Sequence, residues 1–284
     1  MTLRTLGLTL LGTAGLLVLP ACQKEEAATA PATPVPAAPA PAAPSAEPKP
    51  HAASPIQEPG AQGPAPTVPE GRGVVRGAVT FTGAVPAAAD VPPSNDPACE
   101  GMSTQDASVL VKDGKLANVL VRVRGQVPGA PPAPSTPVMV DQTKCTYVPR
   151  VQGAVSGQPV AFKNSDGTLH NVRGMVGTKS AFNIAQPPSG APVQKPVPAD
   201  ADVLKLKCDV HPWMTAYVVT NPNPYFATTG EDGAFSLQGL PAGTYTVEAW
   251  HESLGTKTAE VTVKDGAPAE VSFAFAATDA STKK

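Results

Sequence analysis

The sequence predicts an all-β protein: two β-sandwiches that follow a disordered, Ala/Pro-rich linker. Three observations predict it. From Val74 onward, apolar and polar residues alternate in short runs, which is the period of a half-buried strand. No stretch beyond Val74 keeps a helical period of 3.6 residues. Gly, Pro and Asp-Gly turns punctuate the runs, the pattern of sandwiches and barrels.

The first segment, Met1 to Cys22, reads as a targeting sequence. Arg4 supplies the positive start and Leu6 to Leu19 the apolar run, which is too short for a comfortable membrane span. Its end, Leu19-Pro20-Ala21-Cys22, resembles a bacterial lipobox. The resemblance implies a lipoprotein signal peptide over 1–21, lipidation of Cys22 and a membrane partner reached through that anchor. Gln23 after the Cys resembles outer-membrane sorting, so an outer-membrane lipoprotein facing the periplasm or the cell surface is expected.

Residues 22–71 are low-complexity, with 13 of the 35 Pro between Gln23 and Gly71. Pro denies hydrogen bonds to helix and sheet, and the apolar residues are too small to build a core. The segment reads as a tether, with a reach of about 100–150 Å if extended as polyproline II. His51 in it is a solvated bystander. The remaining 210 or so residues suffice for one large domain or two small ones.

The strands follow in order. Val75, Gly77, Val79 and Phe81 alternate against Arg76, Ala78, Thr80 and Thr82. Val109 to Val111 and Leu116 to Val123 flank an Asp113-Gly114 turn and read as a hairpin. Val160 to Phe162 leads into a loop containing His170. Leu204, Leu206 and Cys208 share one strand face, with Lys205 and Lys207 on the other. Thr244 to Trp250, Val261 to Val263 and Val271 to Phe275 are further strands. A formal net charge of −2 gives no electrostatic basis for nucleic-acid binding. Cys99 and Cys145 in an exported chain read as a disulfide closing a loop of about 45 residues. The open alternative is that one of them joins Cys208 at a metal.

The chemistry concentrates in Cys208-Asp209-Val210-His211-Pro212-Trp213-Met214. Thiolate, imidazole and a weak thioether, with a second His from elsewhere, make the ligand set of a mononuclear type 1 copper centre. His170, in Asn164-Ser165-Asp166-Gly167-Thr168-Leu169-His170-Asn171-Val172, is the natural fourth donor. The spacing Cys208-x-x-His211-x-x-Met214, with Pro212 and an aromatic at Trp213, resembles the ligand loop of the cupredoxins, amicyanin in particular. Phe162-Lys163-Asn164 and His170-Asn171-Val172 resemble their first-ligand segment. The resemblance implies a Greek-key copper domain with extra N-terminal strands over 72–222, with His170, Cys208 and His211 as equatorial ligands of copper and Met214 as the axial one. It also implies that Asn171 joins the two ligand loops, and that Pro212 and Trp213 form a docking patch for a redox partner such as a cytochrome c or a dehydrogenase. At Val210 the family has Pro, so the Val210 amide is free to donate to the Cys208 sulfur and raise the potential.

Thr228 to Val247, with its Asp232-Gly233 and Pro241-Ala242-Gly243 turns, resembles the carboxypeptidase-regulatory, prealbumin-like sandwich. That module is expected over 223–278, with 279–284 as a tail. About 50 residues is thin for a sandwich, so strands near 74–82 and 116–123 are open to assignment to it. No Ser/His/Asp arrangement, phosphate loop or paired-carboxylate pattern points to an enzyme. Three functions stay open: electron transfer, copper homeostasis without electron exchange, and a structural or adhesive surface protein with a metal-free cupredoxin fold. Zinc suits Cys and His but not Met.

Overall fold

The computed structural model describes residues 73–88, 95–102, 108–198 and 200–280. The leader, Cys22, the 22–71 tether and residues 281–284 lie outside the described residues. Among these, the chain forms β-strands and two short 3-10 turns, Pro97–Cys99 and Ala277–Asp279. A first run holds β1 (Gly73–Thr82), β2 (Val111–Lys112), β3 (Lys115–Leu116) and β4 (Leu120–Val123). A second holds β5 (Val138–Thr143), β6 (Thr146–Val148), β7 (Val151–Val155), β8 (Pro159–Asn164), β9 (His170–Val176), β10 (Lys179–Gln186), β11 (Val193–Pro196), β12 (Val203–Lys207) and β13 (Thr215–Asn221). A third holds β14 (Phe226–Thr228), β15 (Ala234–Leu240), β16 (Gly243–His251), β17 (Gly255–Val263), β18 (Pro268–Glu270) and β19 (Phe273–Ala276).

These runs make four sheets stacked as layers. The first is β15-β1-β3-β2, with β18 and β19 also paired to β1. The second is β14-β4-β16-β17, the third β10-β9-β12-β13-β7 and the fourth β11-β8-β5-β6. Three apolar clusters lie between them. Val75, Val79 and Phe81 of β1 meet Val121, Val123, Val247 and Val261 between the first and second sheets. Leu120 and Trp250 meet Val151, Tyr217 and Val219 between the second and third. Val172, Leu204, Leu206 and Val218 meet Val140, Val160 and Phe162 between the third and fourth. Alternation explains the middle layers: Ala216 and Val218 of β13 face one cluster, Tyr217 and Val219 the other.

The unit of β5–β13 is therefore inserted into a sandwich made from both flanks of the chain. The strands near 74–82 and 116–123, placed above within 72–222 but left open to the C-terminal module, pair with the C-terminal strands. β1 runs antiparallel to β15 and parallel to β19, and β4 pairs with β14 and β16. The reason is that β15–β19 alone leave one face of an apolar sheet open, and β1 and β4 close it. Gly77 permits the tight seat of β1: a Cβ there would lie 1.6 Å from the Val271 carbonyl oxygen. The Asp113-Gly114 turn has φ of 50° and 71°, the two positive values of a type I′ hairpin. The run Leu116–Val123 is broken at Asn118, whose φ of 58° carries the chain from the first sheet into the second.

His251 closes β16 in the interior at 1% exposure. Its Nδ1 accepts the Ser253 and Leu254 N–H groups at 3.1 and 3.3 Å. Burial, and then the charge of Arg150, lowers its pKa to about 4. The unfolded chain, with an ordinary His pKa near 6.5, thus binds more protons between about pH 4 and 6.5. Stability is full above that window and falls by about 3 kcal/mol on acidification through it. Urea unfolding at pH 7 and pH 4 should show His251→Asn losing about 3 kcal/mol less than the parent; equal losses would contradict this.

Candidate metal centre

β9 and β12 are antiparallel neighbours, with Lys207 opposite Arg173. His170, which opens β9, and Cys208, which follows β12, therefore reach the same end of the third sheet. Cys208 lies in the cluster with Leu204 and Leu206, while Lys205 stands over the Tyr217 ring on the opposite face. The 208–214 loop is closed by its own backbone. Cys208 N–H donates to the Met214 carbonyl at 3.3 Å, and Met214 N–H to the His211 carbonyl at 2.9 Å.

This closure turns three donor atoms to one point. His170 Nδ1 and His211 Nδ1 are 2.8 Å apart, and Cys208 Sγ is 3.8 Å from His211 Nδ1. All three residues are buried, and their donors lie within 4.8 Å of one another. Nitrogen and sulfur bonded to one tetrahedral ion at about 2.0–2.3 Å would stand about 3.3–3.6 Å apart. The observed spacings bracket that range, so the donor set fits a single ion with small adjustments. Met214 is 1% exposed and packs in the cluster that holds Cys208 and Trp213.

The Cys208 thiol shifts toward the thiolate form that a metal binds. Burial pushes the Cys208 thiol up, but the His170 imidazole and the Asn171, His211 and Val210 backbones outweigh it, leaving the pKa below the ordinary thiol value. Burial lowers His170, yet hydrogen bonds to Cys208 and Asp166 raise it overall. His211 is lowered, by burial and then by the neighbouring His170 charge.

Asn171 does join the two loops: its Oδ1 accepts Asp209 N–H at 2.7 Å and lies 3.3 Å from Cys208 Sγ. Cys99 and Cys145 form a disulfide, with Cα atoms 5.8 Å apart, so Cys208 is the free cysteine among the described residues. The docking patch is corrected. Pro212 is exposed, but Trp213 is buried at 4%, donates its indole N–H to the Cys145 carbonyl at 2.8 Å and packs on the His211 ring. His211 is itself 1% exposed.

What covers His211 had no signal in the ligand loops. The 95–102 segment, between β1 and β2 in sequence, lies against the inserted unit. There Asp96 Oδ2 lies 3.2 Å from His211 Nε2, and Cys99 Sγ 3.6 Å from the same nitrogen. On the other side, Asp166 Oδ2 lies 2.9 Å from His170 Nε2. Asp166 stands within the His170 loop, four residues before the His. That spacing was a readable hint; for Asp96 there was none.

The carboxypeptidase regulatory-like domain family matches residues 215–276. The match begins at β13, which the structure pairs in the third sheet, and omits β1–β4, which complete the outer sandwich. No curated protein matches the chain. Among solved structures, the chain is similar to a purple cupredoxin from Nitrosopumilus maritimus, at 21% identity over 30% of this chain and 99% of that one, with a TM-score of 0.27. It is also similar to amicyanin from Paracoccus versutus, at 21% identity over 36% and 97%, TM-score 0.27. A third is the copper-containing nitrite reductase NirK from Thermus scotoductus, at 18% identity over 34% and 25%, TM-score 0.27. The match spans about a quarter of that reductase.

Proposed function

We propose that the chain is a type 1 copper protein that carries single electrons, tethered to the outer membrane by a lipid on Cys22. One observation supports this reading above the others: a buried thiol of lowered pKa and two imidazoles converge on one point at the end of a rigid sheet. His170 Nδ1, Cys208 Sγ and His211 Nδ1 would hold the ion, with Met214 as the weak fourth donor. When bound, copper supplies a one-electron exchange between Cu(II) and Cu(I), and this donor set suits both states. The chain's own part is to present the sulfur as thiolate, to orient both rings and to exclude water. The carrier reading takes Met214 to fill the fourth position, which would leave none for a substrate. Exposed Leu169, Val210 and Pro212, on the two ligand loops, offer apolar contact to a cytochrome c or a dehydrogenase.

The second reading is a copper-binding lipoprotein of metal homeostasis that exchanges no electrons. The cover over His211 favours it, because the ring edge through which a partner would be reached is buried. Adding Cu(II) to the purified protein should give an intense thiolate-to-copper absorption band and narrow copper hyperfine splitting, both absent in Cys208→Ala. Ordinary wide-splitting Cu(II), unchanged in Cys208→Ala, would sink the electron-transfer reading and leave Cu(I) storage, zinc or a structural domain. Mixing the Cu(I) form with oxidised cytochrome c separates the two: rapid oxidation supports the carrier, and none over minutes supports the store.

A further inference from the structure

We propose that Asp96 and Asp166 are paired positioning residues of the metal centre, each accepting the outer ring N–H of one imidazole ligand and so strengthening it toward the oxidised ion. The inference rests on the reading of His170, Cys208 and His211 as a metal site. An imidazole that binds an ion through Nδ1 must carry its proton on Nε2. Here both Nε2 atoms face a carboxylate: His170 faces Asp166 at 2.9 Å and His211 faces Asp96 at 3.2 Å. A carboxylate in that place fixes the ring and raises its basicity as a ligand.

Both carboxylates are themselves held. Asp166 accepts the backbone N–H groups of Lys144 and Cys145, at 2.7 and 2.9 Å. Asp96 accepts Ala98 N–H at 2.9 Å and the Thr168 hydroxyl at 2.6 Å. The Cys99–Cys145 disulfide ties the two anchoring segments together. Thr168 then links Asp96 to the His170 loop, so both rings are braced by one connected network. One brace comes from the inserted unit and the other from the outer sandwich, which ties the outer sandwich to the chemistry of the site. Two anionic groups beside the rings favour the higher charge of Cu(II) over Cu(I).

The test uses the full protein with Asp96→Asn, Asp166→Asn, the double variant, Thr168→Val as a milder removal of the Asp96 anchor, and exposed Asp265→Asn as control. Cu(II) and Cu(I) affinities come from chelator competition, midpoint potentials from redox titration, and Co(II) affinity from its thiolate absorption. Each Asp variant should bind Cu(II) about 10–100-fold more weakly, with Cu(I) affinity less changed, so that the potential rises. A tenfold loss confined to Cu(II) corresponds to about 59 mV. Thr168→Val should shift in the same direction by less. Potentials equal to that of the control, or equal weakening of both copper states, would overturn the proposal while the copper reading stands. A parent protein with a Co(II)–thiolate band but no type 1 copper signature would remove the copper reading; weaker Co(II) binding in the Asp variants would still support the carboxylates. A parent that binds neither ion overturns both.

Discussion

Arg122→Ala is expected to destabilise the protein by about 3–5 kcal/mol, the loss that follows when one member of a buried ion pair is removed. Arg122 lies on β4 opposite Glu248 of β16, with its side chain 1% exposed. Its Nε donates to Glu248 Oε1 at 2.8 Å and its Nη1 to the Thr220 carbonyl at 2.9 Å. Nη2 reaches Asp202 at 3.0 Å. Glu248 belongs to the outer sandwich, while Thr220 and Asp202 belong to the inserted unit. One guanidinium therefore joins the second and third sheets at the edge of the Leu120–Tyr217–Trp250 cluster. Truncation leaves the mostly buried Glu248 charge without this partner, which costs more than the pair contributed. A Met at 122 with a Leu at 248 should recover more than half of the loss, because well-packed apolar replacements of buried pairs are often neutral. Chemical unfolding of the parent, the single and the double variant measures this. A single-variant loss below about 1 kcal/mol would show that the network contributes no more than a surface pair.

The second large effect concerns the Cys99–Cys145 bridge. Its sequence separation is 46 residues. On the chain-entropy account, a loop of that length stabilises by about 4 kcal/mol. Cys99→Ala with Cys145→Ala should lose about that amount in urea unfolding, and the parent under a strong dithiol reductant should lose a similar amount. The consequence reaches the site, because the 95–102 segment carries Asp96 and covers His211. Without the bridge that cover loses its covalent tie, and His211 should become accessible to alkylation in the metal-free protein. Full protection of His211 in the double variant would show that the bridge is not what keeps the cover closed.

Much of the site was legible because its information is local. The seven residues from Cys208 to Met214 carry three soft donor types on a tight loop, and the alternation before them puts Cys208 on the core face whatever the neighbours. His170 and Asn171 were legible for a similar reason, as residues on either side of a loop-to-strand boundary. Trp213 misled because an aromatic on a loop was expected at the surface. Its indole instead fills the space between His211 and the turn at Cys145. The burial of His251 was hidden for the same kind of reason, since a polar residue at a hairpin end gives no local sign that Phe275 will pack against it.

By itself the sequence determined the strand class and named the candidate metal donors, since a two-residue period and a seven-residue loop are properties of short segments. Only the tertiary structure decided which strands are neighbours. Period-two alternation states that Val75 and Val121 point inward, but a strand edge offers the same N–H and C=O groups to any partner. The pairing of β1 with β15 and β19, and of β4 with β16, follows from which apolar faces must be covered once the whole chain has collapsed. The Asp96 brace follows from the same global packing. It lies 115 residues from His211 in sequence, on a connection of the outer sandwich, and meets the ring only because the inserted unit is folded against that sandwich.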